Sequence, residues 1–407
     1  MSGLFRNRYV RAILLSALFL QIGIWVRNFA ILLYVMEQTN GDSRAVSLIS
    51  VAEYAPIFLF SFLAGTFVDR WRPKRTMVWC DVISAVSVAV VLLTFVYGTW
   101  KAVFFVTLIS AILSQFSQPS GMKLFKLHVP GEQLQAGMSL YQTLFAIFMV
   151  LGPILGTFVF QQWGMEVAMV ITAAAFLLSA LVLVTLPADR VESGSAQPSD
   201  FWKEMASGIR YVRDSRVLTM LGLCFLAAGL AIGMVQPLGI FLVTERLGLP
   251  KESLQWLLTV QGIGMIAGGG LTMAMAKKVA PQRLLVAGLA GNAVALAVAG
   301  WSNHLWLTLA AQLLGGLLLP SIQIGINTLL LKNTESTFIG RVNGILTPMF
   351  TGSMVVTMSV AGFLKTNLPL LFIYLLAALL FVVGILFILP LYRMQEGKAP
   401  ENREQIG

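Results

Sequence analysis

Twelve long apolar stretches run through this sequence and decide what the chain can fold into. The hydrocarbon core of a bilayer is about 30 Å thick, so a helix needs roughly 20 apolar residues to cross it. The stretches are too long for barrel strands and lack their two-residue alternation. We therefore predict an all-α integral membrane protein with about twelve transmembrane helices. The predicted spans are 12–36, 46–68, 76–98, 102–122, 138–160, 166–187, 217–243, 253–275, 284–300, 305–331, 342–364 and 369–391.

The shortage of charged residues leads to the same prediction. Only 11% of the residues are charged and 57% are hydrophobic, whereas soluble chains average about 25% charged residues. A water-soluble protein of this length needs charged side chains over most of its surface, and this chain cannot supply them. Most of its exterior is therefore expected to face lipid.

One long polar gap divides the chain in two. We predict two six-helix bundles, at 1–187 and 217–391, joined by a cytoplasmic linker at 188–216 and followed by a cytoplasmic tail at 392–407. Such a layout is typical of transporters whose two halves are related by an axis along the membrane normal.

The linker is predicted to contain a short amphipathic helix. It runs from Asp200, a candidate N-cap, to Arg213, because Asp accepts hydrogen bonds from the first free backbone amides of a helix. Apolar residues then recur with helical spacing along one face. They are Phe201, Met205, Ile209 and Val212.

The positive charge is distributed unevenly between the two sides of the membrane. With the N-terminus in the cytoplasm, 22 of the 28 lysines and arginines fall in cytoplasmic segments, five fall outside, and Arg27 lies within a span. Cytoplasmic loops of membrane proteins carry such an excess. We therefore predict a multi-pass protein of the cytoplasmic cell membrane with both termini inside the cell. The net charge of +10 then gives no reason to expect a nucleic-acid partner.

The strongest local motif is GTFVDRWRPKR, which begins at Gly65 and ends at Arg75 in the turn between the second and third predicted spans. Gly65 lets a neighbouring helix approach closely. Asp69 is an acid at the membrane boundary that can pair with nearby cations or face the positive end of a helix. A plain basic loop would explain Arg70, Lys74 and Arg75, but it would not explain the aspartate.

This segment resembles the signature loop of the major facilitator superfamily, whose pattern is G-x-x-x-D-R-x-G-R-K. The first glycine, the aspartate, the arginine after it and the lysine match, whereas Arg72 and Pro73 replace the second glycine and the next arginine. The form is similar to that of the macrolide and siderophore exporter branch. The resemblance implies a gate latch that controls the exchange between inward- and outward-facing states.

A second motif lies in the fifth predicted span, where Gly152 and Pro153 are followed by Gly156. A Gly-Pro pair bends a membrane helix and leaves a thin face for close packing. The segment resembles the centre of the antiporter motif G-x-x-x-G-P-x-x-G-G of exporters in that superfamily, with Phe148 and Thr157 at the outer glycine positions. The resemblance favours export over uptake.

Two charges lie within the predicted spans at matched depth. Arg27 and Glu53 fall roughly 10–14 Å below the external surface at 1.5 Å per residue. Charges at such depth are costly, so we expect both to face the protein interior and to pair. Two roles stay open: a static bridge between two helices, or a site where Glu53 takes a proton or meets a cationic substrate, with Arg27 adjusting its protonation.

Asp81 is a third candidate for a proton or gating role. It lies near the cytoplasmic end of the third predicted span, one to two turns beyond the basic loop. It is expected to bridge to Lys74 or Arg75, or to belong to the gate.

Uncharged polar residues recur within the spans and are candidates to line a cavity. Some of them are expected to bond helices together instead, and the sequence does not sort the two groups. The candidates are Gln21, Asn28, Gln115, Gln118, Gln142, Gln236, Gln261, Gln323 and Asn327.

The resemblance implies a secondary active transporter that works by alternating access. We predict proton-coupled efflux of an amphipathic small molecule, such as a drug, a macrolide or a siderophore-like metabolite. The alternatives are an importer or lipid flippase of the same fold, and a non-transporting membrane receptor or scaffold.

The sequence gives no sign of an enzyme or of a cofactor. It has no phosphate loop of the form GxxxxGK[ST], and its two cysteines and two histidines lack metal-ligand spacing. The expected partners are a small-molecule substrate, protons and the lipid bilayer, and the protein is expected to be a monomer.

Overall fold

A computed structural model of the chain describes residues 7–96, 101–187, 201–276, 278–335 and 338–396, with the backbone alone at 61–70, 95–96, 132, 201–204 and 392–396. Every regular element within these ranges is a helix, and none of the described residues lies in a β-strand. The predicted all-α class is therefore confirmed.

The first compact unit comprises the described residues of Met1–Ser195 together with Pro250–Thr259. Its helices follow each other with short connections. They are α1 (Arg8–Gln38), α2 (Ser43–Arg70), α3 (Pro73–Val96), α4 (Ala102–His128) and α5 (Gly131–Val184).

The second compact unit comprises the described residues of Ala196–Leu249 and Val260–Gly407. Its helices are α6 (Phe201–Asp214), α7 (Arg216–Val235), α8 (Leu254–Met275, which begins within the first unit's short segment), α9 (Pro281–Trp301), α10 (Leu305–Lys332), α11 (Ile339–Asn367) and α12 (Leu370–Glu396).

Helix α5 is long enough to cross a bilayer twice. Its 54 residues correspond to about 80 Å at 1.5 Å per residue, more than twice the hydrocarbon thickness. At Gly164 the backbone has φ 73° and ψ −174°, a conformation that is open to glycine because it has no Cβ. This residue separates two limbs, 131–163 and 165–184. Eleven helices in the described residues are long and apolar enough to span a membrane, so the two limbs bring the number of crossings to the predicted twelve.

The first unit is held together by close packing along α1. This helix lies mainly against α5, while α3 contacts α4 and α5, and α2 contacts α4. Near the N-terminal end of α1, a core cluster joins four of these helices. It includes Val10, Met77, Leu124, Phe125 and Leu183.

In the second unit, α9 packs on α10 and α12, and α7 packs on α11 and α12. The approach of α8 to α10 is close enough to require glycine, since a Cβ at Gly268 would lie 1.9 Å from the backbone oxygen of Leu317. Small residues allow such backbone contacts between membrane helices.

The outward faces of the spans carry large apolar side chains. Phe105 is 65% exposed, Leu181 61% and Val356 62%. Soluble monomers rarely expose apolar surface on this scale, whereas lipid tails cover it favourably.

Helix α6 begins at Phe201, directly after the predicted cap, and ends one residue later than predicted. The predicted cap Asp200 lies outside the described residues, as does most of the linker before it. On the predicted apolar face, Val212 is buried and Ile209 is exposed. The next helix starts at Ser215, whose Oγ accepts a hydrogen bond from the backbone N–H of Leu218 at 3.4 Å, as an N-cap does.

Candidate functional site

Three polar side chains of α1 and α2 form a chain of hydrogen bonds within the membrane-spanning part of the first unit. Arg27 donates from Nε (3.1 Å) and Nη2 (2.8 Å) to Oδ1 of Asn28. Asn28 in turn donates from Nδ2 to Oε1 of Glu53 at 2.8 Å. The amide of Asn28 therefore connects the cation to the acid.

This arrangement corrects the direct pair expected between Arg27 and Glu53. No ion pair joins the two groups among the described side chains, because Asn28 stands between them and bonds to both. Arg27 lies eleven residues before the end of α1 and Glu53 ten residues after the start of α2. Each is thus about 15 Å from the outer end of its helix at 1.5 Å per residue.

Arg27 has a donor that the described part of the protein does not use. The side chain is only 4% exposed, and no described group accepts a hydrogen bond from its Nη1. A buried donor left unpaired costs about 1–3 kcal/mol. The site can therefore offer this donor to an incoming acceptor.

A second polar chain joins α1, α3 and α5 in the first unit. Ser179, on the second limb of α5, donates from Oγ to Oδ2 of Asp81 at 2.6 Å. Its Oγ also lies 2.8 Å from Oγ of Ser16 on α1. All three residues are buried. The carboxyl group of Asp81 thus links α3 to α5 and α1, and the described contacts do not include the expected bridge to Lys74 or Arg75.

We expect Ser179→Ala to destabilise the protein by about 1–3 kcal/mol, because a buried carboxyl group loses its hydrogen-bond donor. Ser16→Ala leaves that bond intact and is expected to cost less. Chemical unfolding of both variants in detergent measures the difference. A larger loss for Ser16→Ala would contradict the assignment of Ser179 as the direct partner.

The predicted gating motif is only partly described. Gly65, Asp69 and Arg70 lie in the last turns of α2, where only the backbone is described. Lys74 donates from Nζ to the backbone oxygens of Val184 (3.0 Å) and Leu186, at the C-terminal end of α5. Cations stabilise helix C-termini.

Arg75, the last residue of the gating motif, is exposed near the start of α3. The gating role of the motif as a whole stays a prediction, because the glycine, the aspartate and the first arginine have no described side chains.

The Gly-Pro motif forms a contact between α5 and α1. A Cβ at Gly152 would lie 2.2 Å from the ring of Trp25, and one at Gly156 would lie 2.6 Å from the backbone oxygen of Trp25 and 2.7 Å from Cβ of Phe29. Pro153, which lies between these two glycines in the chain, is also buried. The motif therefore brings α5 against the segment of α1 that carries Arg27.

The polar cavity candidates divide by exposure. The buried or half-buried ones are Gln21, Asn28, Gln115 and Gln261. The exposed ones are Gln118, Gln142, Gln236, Gln323 and Asn327. On α10, Gln323 donates from Nε2 to Oδ1 of Asn327 at 3.3 Å. An amide inside a span meets lipid only at a cost, so the exposed group contains the stronger candidates for substrate contact.

Ser16 and Ser179 were not among the residues predicted from the sequence. Serines are common in membrane helices, where their hydroxyl groups form hydrogen bonds. Nothing in the sequence marks these two as neighbours of Asp81. The linking role of Asn28 was also missed, although its position directly after a buried arginine is a signal that could have indicated it.

The chain matches known proteins along most of its length. The family model described as Major Facilitator Superfamily matches residues 13–251 and 221–407. An uncharacterized MFS-type transporter of Bacillus subtilis, YkuC, is 26% identical over 89% of this chain and 86% of its own length. The multidrug efflux pump Tap of Mycolicibacterium fortuitum is 26% identical over 77% of this chain and 78% of its own length.

Macrolide efflux protein A of Streptococcus pyogenes is 25% identical over 52% of this chain and 54% of its own length. Among solved structures, the nucleoside transporter NupG superposes with a TM-score of 0.76 at 15% identity, over 95% of this chain and 99% of that one. At that identity the likeness concerns the fold alone.

Proposed function

This chain belongs to the major facilitator superfamily, and we propose that it exports an amphipathic small molecule in exchange for protons. Membership makes it a multi-pass membrane transporter, as the relatives described above are. The observation that carries the proposal is the hydrogen-bonded chain Arg27–Asn28–Glu53. Ionisable groups at this depth in membrane helices mark substrate and proton pathways.

The direction of transport is supported by the relatives. The names of Tap and of macrolide efflux protein A describe efflux. The Gly-Pro contact between α5 and α1 is consistent with the exporter motif that this segment resembles. A drug, a macrolide or a siderophore-like metabolite is the proposed kind of substrate.

In the proposed mechanism, Glu53 holds either a proton or the substrate. The ionised carboxylate accepts the hydrogen bond of Asn28 and attracts a cationic or polar group of the substrate. A proton that arrives from the external side neutralises the carboxylate, so this attraction is lost and the substrate is released. Two ligands that exclude each other at one group are coupled in both directions.

Other residues have supporting roles in this proposal. Within the first unit, the exposed amides Gln118 and Gln142 would contact the polar parts of the substrate. The motif from Gly65 to Arg75 would control which side of the membrane the site faces. Substrate binding near the bilayer midplane is the general arrangement of such carriers. We further propose that the transporter works as a monomer, with both termini in the cytoplasm.

Flux through proteoliposomes tests the function. Purified protein is reconstituted, ethidium is loaded as an amphipathic probe, and a pH gradient is imposed. We expect ethidium to move against the direction of proton flow, at a rate well above that of empty vesicles. Movement in the same direction as protons would indicate an importer, and absence of gradient-dependent movement for ethidium, a macrolide and a siderophore would contradict the proposal.

Asn28 is expected to act through Glu53. Asn28→Ala removes the hydrogen bonds to both Arg27 and Glu53. We expect it to lower gradient-driven flux by roughly fivefold or more, because the loss of one member of a buried polar network disrupts more than one hydrogen bond. The double variant Asn28→Ala/Glu53→Gln should transport no worse than Glu53→Gln alone, since interacting residues are not additive. Flux rates of the three variants measure this, and additive losses would show that Asn28 acts separately.

A further inference from the structure

A groove in the second unit lies where α6 meets the first turns of α7 and the last turns of α12. It has a volume of about 410 Å³. Arg213 from α6, Arg216, Thr219 and Leu223 from α7, and Leu386 and Phe387 from α12 line it. A second cavity of about 450 Å³ adjoins it at Arg213 and also includes Ile209 and Arg210.

The two ends of the groove differ in chemistry. Arg213 and Arg216 are exposed at the start of the spanning part of α7. Leu223 lies seven residues further on, which is about 10 Å deeper at 1.5 Å per residue. Leu386, on the opposite wall, is 58% exposed. The groove thus has a cationic mouth at the membrane boundary and an apolar interior within the bilayer.

The arginines at the mouth form no ion pair with the acids that the structure describes. Among the described residues, no ion pair involves Arg210, Arg213 or Arg216. The one acid in the lining is Asp214, so the mouth keeps a net positive charge. Guanidinium groups bind phosphate oxygens in a planar, two-pronged geometry.

The walls of the groove are fixed by contacts within the second unit. Tyr211 of α6 stacks on Phe338 with ring centroids 4.4 Å apart, and its hydroxyl accepts a hydrogen bond from the backbone N–H of Glu335 at 3.2 Å. Thr219 donates from Oγ1 to the backbone oxygen of Val212 at 2.9 Å. These contacts fix α6 against α7 and α11, and among the described residues the groove beside Arg213 is left unfilled.

We propose that this groove binds an anionic phospholipid. The lipid phosphate lies between Arg213 and Arg216, and one acyl chain follows Leu223, Leu386 and Phe387 into the bilayer. Basic side chains next to a membrane helix attract anionic lipids, and an amphipathic helix such as α6 lies at the headgroup level. The bound lipid would connect the linker helix to α7 and α12.

Native mass spectrometry of the purified full chain tests this site. Phosphatidylglycerol and phosphatidylcholine with the same acyl chains are titrated in detergent. We expect phosphatidylglycerol to bind roughly tenfold more tightly, because basic side chains near the membrane surface attract anionic lipids. Equal binding of the two lipids would overturn the proposal.

Two sets of variants locate the binding. Arg213→Gln/Arg216→Gln is expected to abolish the preference, whereas Arg283→Gln, a matched change at an exposed arginine on α9, is expected to keep it. Leu223→Trp, which fills the apolar part, should weaken phosphatidylglycerol binding while both arginines remain. An unchanged preference in the double variant would overturn the assignment. Soluble glycerophosphoglycerol that binds as tightly as phosphatidylglycerol would show that the acyl chain contributes nothing, and would also overturn the assignment.

Discussion

Glu53→Gln is expected to lower proton-gradient-driven export of ethidium by roughly tenfold or more, because intramembrane carboxyl groups are retained for function rather than stability. Glutamine keeps the size of the side chain and still accepts the hydrogen bond that Asn28 donates from Nδ2. It cannot, however, bind or release a proton. The initial rate of ethidium movement in proteoliposomes, with and without a pH gradient, measures the effect.

The matched control is Glu166→Gln. Glu166 is an exposed acid at the start of the second limb of α5, so its loss should leave gradient-driven export within about twofold of the original, as surface substitutions usually do. If Glu53→Gln kept full gradient-driven export, Glu53 would not be the proton site.

Gly156→Ala is expected to give the largest loss of stability. The new Cβ would lie 2.6 Å from the backbone oxygen of Trp25, and this oxygen cannot move unless α1 moves. Overpacking of this kind costs about 1–3 kcal/mol and occasionally more. We expect Gly156→Ala to lower the stability by an amount at or above the upper end of this range. Transport should also be lost, because the displaced segment of α1 carries Arg27 and Asn28.

Gly131→Ala provides the control for this change on the same helix. No atom lies within 4 Å of a Cβ at Gly131, and alanine favours helix over glycine by up to about 1 kcal/mol. Relative to the original protein, the changes in the free energy of unfolding of the two variants in detergent should therefore differ in sign or by several kilocalories per mole. Equal unfolding midpoints would show that α5 and α1 do not pack as described.

The crossings could be predicted from sequence because each one needs its own apolar run of a fixed length. The break near residue 164 could also be predicted, since the apolar runs before and after it are separate. The sequence did not show that the helix continues up to Gly164 on both sides. Glycine can adopt several backbone conformations, so the φ of 73° at this residue could not be predicted.

The polar contacts could not be predicted in the same way. Sequence placed Arg27 and Glu53 at matched depth, but it could not show that Asn28 takes both hydrogen bonds, because that depends on side-chain rotamers and on the approach of α2. The contact of Asp81 with Ser179 joins residues 98 positions apart. It follows from how α3 packs on the second limb of α5, which no local pattern specifies.

The mechanism rests on competition between proton and substrate at Glu53, and proton release on substrate binding tests it most directly. Purified protein in weakly buffered detergent solution is mixed with ethidium, and the pH change is followed at starting values between about pH 5 and 8, the range in which shifted carboxyl groups titrate. We expect wild-type protein to release protons within part of this range and Glu53→Gln to release none. Ethidium binding without proton release from the wild type, or equal release from Glu53→Gln, would contradict the mechanism.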